Sequence, residues 1–136
     1  MHVIHMLGGW WLDADIRIRN PEEFARLASG PYDQIFFTTD NNYIHNDFYG
    51  SAPSTPFLAD CLLSLYRNCY LHGWLFIAYK TGPGVFNRAM NRAIFNHRRG
   101  MRPMAPTRMD DHLAFWDYIE DFDTPYKAAL PSWQTA

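Results

Sequence analysis

The chain should fold as one α/β domain in which helices pack on a mixed sheet, and three observations carry that expectation. Short apolar runs of strand length alternate with segments whose apolar residues recur at helical spacing. With 48% hydrophobic and 17% aromatic residues, the chain has the material for a packed core and not the composition of a disordered one. No internal repeat or low-complexity tract interrupts the alternation, so residues 1–136 are read as a single domain.

Met1 to Leu7 reads as the last turns of a helix running into Gly8-Gly9, a glycine pair that must turn the chain. The apolar run Trp10-Trp11-Leu12 leads into Asp13-Ala14-Asp15, and Ile16 to Arg19 continues extended. Asn20-Pro21-Glu22-Glu23 is a helix start, with Asn as cap, Pro in the first turn and acids beside the positive end of the dipole. Phe24, Leu27 and Ala28 give that helix its apolar face, and Gly30-Pro31 stops it. Gln34 to Thr38 reads as a buried strand, with Asp33 and Asp40 as turn residues at its ends. Tyr43 to Tyr49 carries a second strand, followed by a loop through Gly50, Ser51, Pro53 and Ser54.

Thr55-Pro56 caps the next helix, which runs from Pro56 to Leu71 with Leu58, Cys61, Leu62, Leu65 and Cys69 toward the sheet; His72-Gly73 ends it. Leu75 to Tyr79 is apolar but too short for its type to be assigned. After the break at Gly82-Pro83-Gly84, one helix face is traced by Phe86, Met90, Ala93, Ile94 and His97, with Arg88, Arg92 and Arg99 nearer the other. A loop from Gly100 to Thr107 precedes a last amphipathic segment that would bury Leu113, Trp116, Ile119 and Phe122.

The net charge of -2 hides an asymmetry: Cys61 to Met109 holds eight Arg or Lys and no acid, whereas Asp110 to Asp123 holds six acids and no base. Ten of the twelve cations are Arg, the residue that pairs bidentately with phosphate and carboxylate. The basic segment therefore either faces a phosphate or pairs with the acidic one. Cys61 and Cys69 stand eight apart on one helix, about 12 Å along its axis and too far for a disulfide, so reduced core thiols are expected. No apolar run reaches the length of a membrane span and no signal-type sequence opens the chain. A cytoplasmic protein, at most peripheral to a membrane and without a nucleic-acid partner, is expected. The six histidines show no zinc pattern, and His97 reads as a hydrogen-bonded core residue before it reads as a ligand. Nucleophile elbow, Walker loop and cysteine-protease pairing are all absent.

Asp13 and Asp15 are the residues that point to chemistry. In an extended segment, side chains two apart share a side, so the two carboxylates can converge on one cation or hydroxyl. A hard divalent ion on one or two carboxylates, completed by water and phosphate oxygens, is the usual chemistry of such a pair. A solvated turn is the ordinary alternative; the glycine pair and apolar run before it favour a strand end, where α/β folds bind ligands.

Gly8-Gly9-Trp10-Trp11-Leu12-Asp13-Ala14-Asp15 resembles the Gly-Gly-aromatic-x-x-Asp-x-Asp signature of glycosyltransferases with a DXD sugar-binding region, the group of yeast-type mannosyltransferases, α-galactosyltransferases and bacterial capsular polysaccharide glycosyltransferases. Asn46-Asp47-Phe48-Tyr49-Gly50-Ser51-Ala52-Pro53-Ser54-Thr55-Pro56 resembles the Asn-x-x-x-x-Ala-x-x-x-x-Pro segment of that family, and Thr81-Gly82-Pro83 its Thr-Gly-Pro. The three matches, in order, cover residues 2–97, and Ser132-Trp133 resembles a C-terminal Ser-Trp of some members.

The resemblance implies a partial GT-A (Rossmann-like) fold, corresponding to the C-terminal portion of the catalytic domain, without the N-terminal half that usually grips base and ribose. It implies transfer of a sugar from a nucleoside diphosphate sugar to a hydroxyl of a glycan or lipid-linked acceptor, with retention and with Mn2+ or Mg2+ as cofactor. Asp15 is then the direct metal ligand, and Asp13 serves the metal, a ribose hydroxyl or both. Gly9, Asn46, Asp47, Gly82 and Pro83 are the substrate-binding positions. The alternative is a non-catalytic or partner-requiring sugar-nucleotide-binding module; a metal-dependent phosphohydrolase would want more clustered acids and His.

Overall fold

The computed structural model describes residues 1–125, and they form a mixed α/β structure. Its main sheet is built from β1 (Gly9–Leu12), β3 (Gln34–Phe37), β4 (Phe48–Ser51) and β5 (Thr107–Asp110) in the order β1-β4-β3-β5. Strands β1 and β3 are both antiparallel to β4, and β5 is parallel to β3, so β1, β3 and β5 run the same way. A second, two-stranded sheet pairs β2 (Ile16–Ile18) with β6 (Ile119–Asp121).

Strand β3 is buried along its whole length, and its period of two distributes it between two cores. Phe36 joins Tyr49, Ile4 of α1 (His2–Leu7), Phe57, Leu58 and Cys61 of α3 (Pro56–Leu71), and Val85, Phe86, Ala89 and Met90 of α5 (Pro83–Arg98). Ile35 and Phe37 join Phe48, Leu27 of α2 (Pro21–Ala28), Phe115 of α6 (His112–Tyr118) and Ile119. Helices thus cover both faces of the sheet.

Local chemistry sets several elements as expected. Asn20 Oδ1 accepts from the Glu23 N–H at 3.2 Å, and Pro21 opens α2. Gly8 and Gly9 turn the chain with φ of 71° and 105°, and a Cβ on Gly8 would lie 2.8 Å from the Pro53 ring. The bounds of α3 are those read from the sequence, although the Thr55 hydroxyl hydrogen-bonds with Ser51 Oγ at 3.1 Å and not with the helix N-terminus.

Other elements depart from the expectation. Gly50 and Ser51 belong to β4 and not to a loop, and residues 43–47 are irregular apart from a Thr38–Ile44 bridge. Gly50 pairs with Trp10, and a Cβ there would sit 2.7 Å from the indole, so this glycine makes room for a ring within a sheet. The undecided 75–79 stretch contributes to α4 (Ile77–Lys80). The buried stripe of α3 passes through Ser64 and Asn68, leaving Cys69 exposed, because Asn68 Nδ2 donates to the Tyr79 and Lys80 carbonyls of α4. Ala28, Ile94 and His97 are exposed as well. Leu113 is 76% exposed because α6 buries Phe115, which faces away from it on the helix, and Phe122 is 46% exposed because α6 ends at Tyr118 and the chain continues as strand; Phe115 and Ile119 are the buried pair.

The basic and acidic segments do not pair as blocks. Among the described ion pairs, Arg108–Asp110 at 2.8 Å joins the two, while Glu120 pairs with Arg17 and Arg102 with Asp60. Arg88 donates to the Tyr79 carbonyl at 2.8 Å and Arg99 lies over the Phe95 ring. Among the described residues, no helix is long and apolar enough to cross a membrane.

The two cysteines differ in reactivity. Burial, helped by the neighbouring Asp60 carboxylate, pushes the Cys61 thiol well above its ordinary pKa, whereas Cys69 is exposed. A maleimide at neutral pH should therefore modify Cys69 alone in the folded chain and reach Cys61 only in denaturant. Peptide mass spectrometry reads this directly, and rapid native labelling of Cys61 would contradict the packing.

Candidate functional site

The parallel-running strands β1, β3 and β5 end on one side of the sheet, and a cleft of about 440 Å3 opens there. It lies where α/β folds bind ligands, beyond the carboxyl ends of strands. Asp13, Asp15, Asn46, Asp47, Gly82 and Pro83 all line it, so residues from three separated motifs meet at one place. Gly9 does not join them. It sits at the opposite end of β1, paired with Ser51, and lines a separate depression of about 230 Å3 beside Trp10 and Tyr32; its service is to the backbone turn.

Asp13 and Asp15 reach the cleft by a turn and not by strand alternation. The Ile16 N–H closes on the Asp13 carbonyl at 3.3 Å, reversing the chain from β1 into β2. The Asp13 N–H donates to the Asp47 carbonyl at 2.9 Å, and Trp11 Nε1 donates to Asp13 Oδ1 at 2.7 Å. The Asp15 carbonyl accepts from Phe122 N–H at 2.7 Å. The extended geometry expected of Asp-x-Asp is thus replaced by a pinned turn that still presents both residues to the cleft.

The irregular 38–47 segment carries Asn46 and Asp47 and is anchored by Asn87 of α5. Its Oδ1 accepts from Ile44 N–H at 2.8 Å and its Nδ2 donates to the Asn42 carbonyl at 3.2 Å. Gly82 is the N-cap of α5, and Gly84 lets that helix close on α4: a Cβ there would lie 2.8 Å from Tyr79 Cα. Thr81-Gly82-Pro83 is therefore the hinge of a tight helix–helix corner that forms one wall.

His45, His112, Phe115 and Trp116 line or support the cleft without having been singled out for it. His45 is buried, with Nδ1 2.9 Å from Asp47 Oδ1 and Nε2 3.3 Å from His112 Nδ1. Trp116 Nε1 donates to His112 Nε2 at 3.1 Å, and His45 stacks on Phe115 with centroids 3.9 Å apart. The His112-x-x-x-Trp116 spacing on one helix was a legible signal. Nothing in the sequence joins either residue to His45.

No protein-family model, curated protein or solved structure matches this chain. The chemistry of the cleft has to speak through its own residues.

Asp13, Asp15, Asp47 and Asp121 put four carboxylates on the lining, and no Arg or Lys is among the lining residues. Arg88, Arg92 and Arg99 are not at the cleft, so the phosphate-facing reading of the basic segment does not apply there. His97 is away from it too, its Nδ1 accepting from Met104 N–H at 3.3 Å. Among the described residues no group of three or more His, Cys, Asp or Glu side chains is placed to hold a metal. Two carboxylates on one turn do fit magnesium or manganese, which keep several waters and complete their shell with substrate phosphate. Ser132 and Trp133 lie outside the described residues.

Proposed function

We propose that this chain is a metal-dependent glycosyltransferase domain of GT-A type, or the sugar-binding portion of one, moving a sugar from a nucleoside diphosphate donor to a glycan or lipid hydroxyl with retention. One observation carries the reading: Asp13-Ala14-Asp15, Asn46-Asp47 and Gly82-Pro83, distant in sequence, line a single cleft at the carboxyl ends of β1, β3 and β5. An acidic cleft without lining cations repels a bare diphosphate and accepts it only through a divalent ion. Asp15, with Asp13 beside it, would hold manganese or magnesium there, and the ion supplies Lewis-acid neutralisation of the diphosphate. Asn46 and Asp47, which line the cleft, would take sugar hydroxyls, and Phe115 with Trp116 would give it an apolar side. No protein group is assigned as general base, since the donor's own phosphate oxygen can take the acceptor proton.

The test is a calorimetric titration of the chain with uridine and guanosine diphosphate sugars, with and without manganese. Saturable binding that chelator abolishes is expected. If no such donor binds at millimolar concentration with manganese present, the reading is wrong. Donor hydrolysis measured on the same samples separates a transferase from a sugar-nucleotide-binding module without turnover.

A further inference from the structure

Four side chains at the cleft form one hydrogen-bonded chain: Trp116 Nε1 to His112 Nε2 at 3.1 Å, His112 Nδ1 to His45 Nε2 at 3.3 Å, and His45 Nδ1 to Asp47 Oδ1 at 2.9 Å. An indole N–H can only donate, and a carboxylate can only accept. A neutral imidazole has one donor and one acceptor, so a chain bounded this way has a single polarity. Trp116 donates to His112, His112 donates through Nδ1 to His45, and His45 donates through Nδ1 to Asp47. An imidazolium at either position would set two N–H groups against each other at one link.

The ring geometry agrees. The two imidazoles are 3° from parallel with centroids 5.6 Å apart, and their facing nitrogens are 3.3 Å apart. The difference is the sum of the two ring radii, so both nitrogens lie on the line between the centroids and the hydrogen bond lies in both ring planes. An ion midway would be closer to each nitrogen than the roughly 2.0 Å of a metal–imidazole bond, so the pair shares a proton and not a metal. Phe115, stacked on His45, fixes that plane.

Two consequences reach the cleft. Trp116 spends its one polar atom on His112, so it can offer a ligand only ring carbon. Asp47 accepts the His45 Nδ1–H hydrogen bond on Oδ1 and presents a carboxylate, a pure acceptor. We propose that His45 and His112 are positioning residues that hold Asp47 as a hydroxyl acceptor and Trp116 as an apolar surface, making this wall a subsite for an uncharged pyranose. The sugar's hydroxyls donate to Asp47, with Asn46 beside it, and its C–H face lies on Trp116. An acidic sugar would oppose four carboxylates. This rests on the reading above and narrows it: the sugar, and not the diphosphate, belongs on this wall.

The experiment has two readouts on the intact chain. Long-range proton–nitrogen spectra of histidine-labelled protein should show His45 and His112 both as the neutral Nδ1–H tautomer. Methyl glucoside, galactoside and mannoside, titrated without metal and followed by saturation transfer, should bind at least in one case. His112→Phe should weaken that binding by about tenfold, the loss of one hydrogen bond to a positioned group. His112→Asn, whose amide N–H can replace the Nδ1 donor, should restore most of it. An Nε2–H tautomer at either histidine, no pyranoside binding to the wild type, or equal binding by His112→Phe overturns the proposal. Pyranoside binding that depends on His112, in a chain that binds no nucleoside diphosphate sugar with manganese, keeps the subsite and overturns the transferase reading.

Discussion

Replacing Asp15 by Asn should lower manganese affinity by about one to two orders of magnitude and leave the fold intact. Asn keeps the shape of the side chain and removes the charge, and a hard divalent cation held by two carboxylates and water depends on that charge for most of its attraction. The main-chain hydrogen bond of this residue, from Phe122 N–H to the Asp15 carbonyl, does not depend on the side chain. Asp13→Asn should act less purely, because Asp13 Oδ1 also accepts the Trp11 indole N–H and so helps shape the turn. Titration calorimetry with manganese, beside circular dichroism on each variant, measures both effects. Equal affinity in wild type and Asp15→Asn would remove Asp15 from any metal role.

Phe36→Ala costs about 3–5 kcal/mol of folding stability, a large share of the roughly 5–15 kcal/mol that holds a domain together. Phe36 is fully buried and packs against Tyr49, Phe57 and Phe86, with centroids 6.2, 4.7 and 6.4 Å away. Truncating it opens a cavity where helices from α3 and α5 meet the sheet, and neighbours that stiff cannot collapse into it. Leu113→Ala is the control, because Leu113 is 76% exposed and its truncation should change stability by no more than about 0.5 kcal/mol. Urea unfolding of both variants decides between the cores. Similar losses from the two would mean that α6 buries Leu113, as the helical spacing alone suggested.

What the sequence determined by itself is local in origin. The limits of α3, the Asn20 cap with Pro21 behind it, the buried β3 and the Gly8-Gly9 turn each follow from residues within a few positions of one another. Six of the seven residues that the Asp-x-Asp spacing and the family resemblance pointed to also line one cleft, each motif sitting at an element's end. The tertiary structure decided what depends on a partner far along the chain. Gly50 looks like a loop residue until Trp10 is laid across it, and Asn68 looks like a polar intrusion in α3 until it caps the carbonyls of α4. Leu113 loses its burial because α6 turns Phe115 toward the sheet, and Phe122 because Ile119–Asp121 pairs with β2, more than a hundred residues upstream, and takes the chain out of helical period. The His45–His112 link joins two residues 67 positions apart, and a proton shared at 3.3 Å leaves no trace in spacing or periodicity. Gly9 is the reverse case: its sequence context marked it for substrate, and the direction of β1 carried it to the far end of the sheet.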